Sequence, residues 1–129
     1  MRRAPIEPFL DHVVRALGRS ALFGALDATS LDRVARRATL VQADPGDRLI
    51  RQGDPADAFF VLLRGNARVL AEGPEGSVEV ALVGAPDPVG EMGILLGEAR
   101  AASVDAVDAL IAARYEAADF EALFDDVPG

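Results

Sequence analysis

Between Pro8 and Arg19, Phe9, Val13 and Leu17 recur at i, i+4 and i+8 with polar residues between them. That spacing predicts a helix with one apolar face, and Gly18 sits where its C-cap would fall. Leu22, Phe23 and Leu26 form a short apolar cluster that reads as one further turn. Asp27, Thr29 or Ser30 suits the N-cap of a second helix. Leu31, Val34 and Ala35 form its buried stripe, and Arg33, Arg36 and Arg37 its solvated face. After Ala38 the helical period stops. Residues 39–43, 49–50, 59–63, 67–70, 78–83, 103–107 and 110–115 read as short strands, rich in branched and aromatic residues. Asp44-Pro45-Gly46-Asp47, Gly53-Asp54-Pro55 and Glu72-Gly73-Pro74-Glu75-Gly76 punctuate them, and residues 84–88 are turn-rich. Met92 to Leu96 reads as one or two helical turns, and residues 118–124 as a final short helix. Val127-Pro128-Gly129 reads as a frayed tail.

Helices thus flank a run of many short, evenly spaced strands. This pattern predicts a mainly β domain, a sandwich or barrel, and not alternating βα units. Phe9, Phe23, Phe120 and Phe124 are expected in the core, joining the terminal helices to the strands. There is no internal repeat and no low-complexity tract.

The length, 129 residues, fits one domain spanning 1–129. Cysteine is absent, which excludes disulfides, thiolate metal sites and a cysteine nucleophile, and fits a reducing compartment. Met1-Arg2-Arg3 is basic, but Pro5, Glu7 and Pro8 interrupt it before any secretory apolar region forms. No apolar run approaches the ~20 residues of a membrane helix. A cytoplasmic chain without a membrane partner is expected. The formal net charge of −8 argues against nucleic acid as a partner for this piece. An anionic small ligand meets the same repulsion, so it requires a local cationic site.

One stretch supplies such a site: Gly90-Glu91-Met92-Gly93, a short apolar spacer, then Arg100-Ala101-Ala102-Ser103. Gly90 permits close backbone approach. A short helix opening near Glu91 would direct free N–H groups outward. Arg100 offers a planar fork of donors suited to phosphate oxygens. Small Ala101 and Ala102 leave their N–H groups accessible, and Glu91 is an acceptor suited to a sugar hydroxyl. One cation, several N–H donors and one carboxylate fit a ribose-phosphate better than a bare phosphate.

This stretch resembles the phosphate-binding cassette of cyclic-nucleotide-binding domains, with its Gly-Glu-Leu-Ala, spacer and Pro-Arg-Ala-Ala-Thr/Ser. Two further landmarks follow the family's order. Pro45-Gly46-Asp47 through Gln52-Gly53-Asp54 to Asp57 is similar to its first turn and Gln-Gly-Asp loop. Phe59-Phe60-Val61-Leu62-Leu63-Arg64-Gly65 is similar to its central strand and following glycine. The resemblance covers roughly residues 22–124. It implies a double-stranded β-helix, a jelly-roll-like β-roll, over about 39–116, with N-terminal helices within 8–38 and a short C-terminal helix over 117–126.

The resemblance also implies roles. Glu91 accepts from the ribose 2′-hydroxyl and Arg100 pairs with the cyclic phosphate. Backbone N–H groups near Met92 and Ala101 share the phosphate oxygens. Gly90, Ala102 and Ser103 complete the cassette, and Val80 and Val83 help line the wall near sugar and base. Ala101 stands where cGMP-selective members often carry Thr, which leans toward cAMP. The implied function is a non-enzymatic sensor of cAMP or a related cyclic nucleotide, with no cofactor, acting on an effector domain or partner protein. Departures from the family are Pro86, Val89 and Ala99, in place of a Gly, an aromatic and a Pro. The family's longer C-terminal lid helix should begin where this sequence ends.

Other readings compete. Arg100 could be a surface residue paired with Glu98, and Glu91 a helix-capping carboxylate. A degenerate domain of the same fold, acting as a protein-interaction module without nucleotide, is the alternative. A metal-dependent barrel enzyme needs at least two His ligands on strands, whereas His12 is alone on a predicted helix.

Overall fold

The computed structural model describes residues 1–119 and Ala122. Two antiparallel sheets face each other as a β-roll, with helices packed on one outer face. The first sheet runs in the order β1 (Arg2–Pro5), β2 (Thr39–Ala43), β9 (Leu110–Glu116), β4 (Ala58–Arg64), β7 (Pro88–Val89). The second runs β3 (Arg48–Ile50), β8 (Ser103–Ala106), β5 (Asn66–Gly73), β6 (Gly76–Gly84). Helices α1 (Leu10–Arg19) and α2 (Ala28–Arg36) precede the roll, and α3 (Glu91–Leu96) interrupts it between β7 and β8.

Strand alternation divides the apolar side chains between two cores. In β4, Phe59, Val61 and Leu63 face α1 and α2, while Phe60 and Leu62 face the roll interior with Val41, Ala112 and Val104. β4 is buried along nearly its whole length because both its faces are covered, hence the unbroken apolar run in its sequence. Tyr115 ties the two layers. Its ring stacks on Phe59 at 5.0 Å and packs against Phe23 at 6.2 Å. Its hydroxyl donates to the carbonyl of Val34 on α2 at 3.1 Å. Burial pushes the Tyr115 hydroxyl well above its ordinary pKa.

The predicted elements from α1 to β9 are present. Asp27 caps α2, its carboxylate accepting from the Ser30 N–H at 2.8 Å. Two strands go beyond those the sequence pattern predicts. β1 is short, half polar and ends on Pro5, so it carries no alternation to read; it pairs with β2 at the sheet edge. β7 is two residues long and lies at the end of the turn-rich stretch, paired with β4 through Phe60 and Val89.

Phe9 corrects the expectation of a core residue. It is 42% exposed, because it sits in a 3-10 turn (Glu7–Phe9) before α1, off the helical register. Ile6 is buried in its stead, beside Val13, Ala16 and Leu17. Phe23 is core, as expected. Of the C-terminal helix expected over 117–126, Ala117–Asp119 form one 3-10 turn. Phe120 and Phe124 lie outside the described residues. No helix among the described residues is long and apolar enough to cross a membrane.

Candidate functional site: a cavity walled by Arg100

Where β7 ends, the chain turns through Gly90, which caps α3 in the left-handed region at φ 88°. Gly97, at φ 66°, closes α3 by donating to the carbonyls of Gly93 and Ile94. The chain then returns to the roll through Arg100 and enters β8 at Ser103. The loop before β4 fixes this return. The Arg100 N–H donates to the carbonyl of Asp54, and the Gly53 N–H donates to the carbonyl of Arg100, each at 2.9 Å. That loop is itself anchored. The Gln52 amide side chain pairs with both backbone groups of Glu72 at 2.8 and 2.9 Å, and its N–H donates to the Ser103 hydroxyl at 2.9 Å.

The Arg100 side chain is buried, the residue being 7% exposed. Its Nη1 donates to the carbonyl of Gly90 at 2.6 Å and its Nη2 to the carbonyl of Ala58. Its nearest carboxylate is that of Asp57, at 3.9 Å and itself 78% exposed. No carboxylate accepts a hydrogen bond from it among the described residues. Burial pushes its pKa down, while Asp57, Asp54 and Glu91 pull it back up. A guanidinium remains charged under such shifts. This is therefore a desolvated cation with incomplete charge compensation. Five N–H donors less two in use leave three that no protein acceptor takes among the described residues.

Arg100 forms part of the wall of a cavity of about 290 Å³, at the lower end of the ~300–1,000 Å³ common for small-molecule sites. Gly90, Glu91, Met92, Ala101, Ala102 and Val83 line it as well. So do the apolar side chains of Ile50, Val69 and Val104, one side of the roll interior. The cavity combines an apolar wall, a cation and a carboxylate.

Two residues of the sequence-predicted site lie elsewhere. Val80 is 57% exposed and is not part of the cavity wall. Regular alternation already puts Val80, three residues before Val83, on the opposite face of β6, and the bulge where the β5–β6 register passes from Val69–Ala81 to Leu70–Glu79 does not bring it back. Ser103 is fully buried on β8, behind the cavity, and receives the Gln52 N–H. The reading of Arg100 as a surface partner of Glu98 does not hold, since the side chain points into the protein. Sequence reasoning misses the site roles of Asp57 and Ala58 beside Arg100. The available signal is the run from Gln52 to Ala58, which reads as a turn but carries the groups that position the guanidinium. Among the described residues no cluster of three or more His, Cys, Asp or Glu could hold a metal ion.

A β-roll interrupted by a short helix, with a buried arginine at the wall of an interior cavity, is the architecture of a small-ligand-binding domain. The family model for the cyclic nucleotide-binding domain matches residues 40–127, and the chain belongs to that family. The cAMP-dependent protein kinase type I-alpha regulatory subunit of Mesocricetus auratus is 39% identical over 75 residues, covering 55% of this chain and 45% of that protein. The regulatory domain of Toxoplasma gondii PKA, solved with cAMP, superposes with a TM-score of 0.84 at 26% identity, covering 91% of this chain and 45% of that one. Two others share the fold. A cyclic nucleotide-binding domain from Methylobacillus flagellatus has a TM-score of 0.81 at 23% identity, over 95% and 69% of the two chains. The regulatory subunit of a cAMP-independent protein kinase A from Trypanosoma cruzi, bound to guanosine, has 0.83 at 20%, over 94% and 44%. The chain thus spans about half the length of the curated relative it matches.

Proposed function

We propose that this domain binds a cyclic nucleotide, cAMP in the first place, and passes the occupancy of its cavity to an effector domain or partner protein. The observation that carries this reading is the buried Arg100 guanidinium, held by two carbonyls, with three N–H donors to spare and no hydrogen-bonded carboxylate among the described residues. A phosphodiester supplies one negative charge and two acceptor oxygens, which is what that group lacks. In this reading Glu91 accepts from the ribose 2′-hydroxyl. The N–H groups of Met92 and Ala101 share the phosphate oxygens, and Gly90 and Ala102 keep the backbone close to the ligand. Val69, Val83 and Val104 pack against sugar and base. Ser103 supports the cassette from behind through Gln52.

The preference for cAMP rests on Ala101, which offers no hydroxyl to the guanine amino group, and on the relatives described with cAMP. The regulatory role rests on the cyclic-AMP-dependent kinase relative, and a kinase-type effector is the partner it suggests. Titration calorimetry with cAMP, cGMP and 5′-AMP tests the reading. We expect saturable binding of cAMP, weaker binding of cGMP, and much weaker binding of the acyclic nucleotide. No heat from any of them up to about 1 mM would leave the interaction-module alternative as the better reading.

A further inference from the structure

A second cavity, of about 340 Å³, lies on the other side of Arg100. Arg100 and Ile50 belong to the walls of both cavities, so one guanidinium stands between them. Its Nη1 reaches Gly90 on the cassette side and its Nη2 reaches Ala58 on the other. The second cavity is also walled by Arg3 from β1, Arg51 at the end of β3, and Arg114 from β9. Four of the chain's 13 cationic side chains therefore converge on one cavity of a domain whose net charge is −8. The carboxylates in its wall are those of Asp54 and Asp57, and Glu116 pairs with Arg114 from outside it.

Arg114 marks this place as built. Leu110 and Ala112, at the same face of β9, sit in the apolar interior of the roll. Alternation puts residue 114 on that face too, and it is 8% exposed. A charge at an inward strand position is costly, and an apolar residue would fill it more cheaply. Arg3 and Arg51, at the rim, are exposed and make no ion pair among the described residues. Two unpaired guanidinium groups, one on β1 and one just past the end of β3, with a buried third behind them, suit a ligand that carries more than one anionic group.

We propose that this second cavity is an anion site for a compact ligand bearing two or more phosphate-like groups, held by Arg3 and Arg51 with Arg114 behind them. The site stands whether or not the cassette cavity takes a nucleotide.

Inorganic pyrophosphate is the probe. The full chain, labelled with nitrogen-15, is titrated at low salt while amide resonances are followed. The expected result is saturable shifts at Arg51, Asp54 and Ala58. Arg3→Ala and Arg51→Ala are rim substitutions that leave the core intact. Each is expected to weaken pyrophosphate binding about two- to fivefold, the range of exposed charge pairs, and the double variant about tenfold. Three results would overturn the proposal: no saturable shift up to about 10 mM pyrophosphate, shifts centred on Met92 and Ala101, or unchanged affinity in the double variant. The last two would assign the anion to the cassette or to general charge.

Discussion

The guanidinium of Arg100 donates to the carbonyl of Gly90 at 2.6 Å, and it can do so because residue 90 has no side chain. A Cβ built there would stand 2.9 Å from Arg100 Nη1 and 2.9 Å from Ile50 Cδ1, at a φ of 88°. The first residue of the cassette and its only cation are thus mutually dependent. Glycine gives the room, and arginine closes the turn that glycine opens.

Gly90→Ala should therefore do two things. The left-handed backbone alone costs about 1–2 kcal/mol for a residue with a side chain, and the clash displaces Arg100. We expect a melting temperature lower by several degrees and cyclic-nucleotide affinity weakened more than tenfold. Gly97→Ala is the control. Its φ is 66°, but a Cβ there meets nothing within 4 Å, so it should lower stability and leave affinity nearly intact. Equal loss of affinity in both would contradict the pairing of Gly90 with Arg100.

The role given to Glu91 is separable from that of the phosphate group. A charge-assisted hydrogen bond contributes about 1.5–3 kcal/mol, so 2′-deoxy-cAMP should bind the wild-type chain about tenfold to a hundredfold more weakly than cAMP. In Glu91→Ala the two ligands should bind alike. Persisting discrimination in that variant would place the sugar hydroxyl elsewhere.

Much of this site is legible in the amino-acid sequence. Gly90-Glu91 and Arg100-Ala101-Ala102 are local motifs, and the strands announce themselves because turn residues bound nearly every one. The parts that sequence does not disclose are long-range. Ala58 and Asp57 lie some forty positions before Arg100, and only pairing of β4 with β7 and the Gly53–Arg100 backbone bonds bring them to it. Val80 departs from its expected place for a local reason: it stands an odd three residues from Val83, so strand alternation turns the two to opposite faces. Phe9 departs from its own because the helical period does not extend back through a 3-10 turn.

The junction between helices and roll depends on the Tyr115 hydroxyl. Tyr115→Phe keeps the stacking on Phe59 but removes one of two donors to the Val34 carbonyl, which still accepts from the Arg37 N–H at 3.1 Å. We expect a loss of about 0.5–1.5 kcal/mol in urea unfolding, with an unchanged m-value. No change in the midpoint would mean that the hydroxyl's bond adds nothing to the junction.

Acid should destabilise the fold through exposed carboxylates that accept backbone bonds. Asp108 takes the Asn66 N–H at 2.8 Å and its side-chain amide at 3.0 Å, and these bonds hold its pKa below the ordinary 3.8. Asp27 at the α2 cap is lowered in the same way by Ser30. A carboxyl whose pKa is lower in the folded chain contributes stability above its unfolded value, and that stability is lost as pH falls through the folded one. Asp108→Ala should be less stable than wild type at neutral pH, with the gap narrowing below about pH 4. A gap that is constant with pH, followed by chemical denaturation, would rule out this linkage.

The measurement closest to the central claim is a calorimetric titration of cAMP into the wild-type chain and into Arg100→Ala, each first shown to be folded by its circular dichroism and melting curve. Loss of the phosphate's charge-assisted bonds predicts affinity weakened about tenfold to a few hundredfold. Arg100→Lys should recover only part of it, because an ammonium cannot reach two carbonyls and a phosphate as a planar fork does. Unchanged affinity in a folded Arg100→Ala chain would contradict the assignment of this guanidinium to the phosphate.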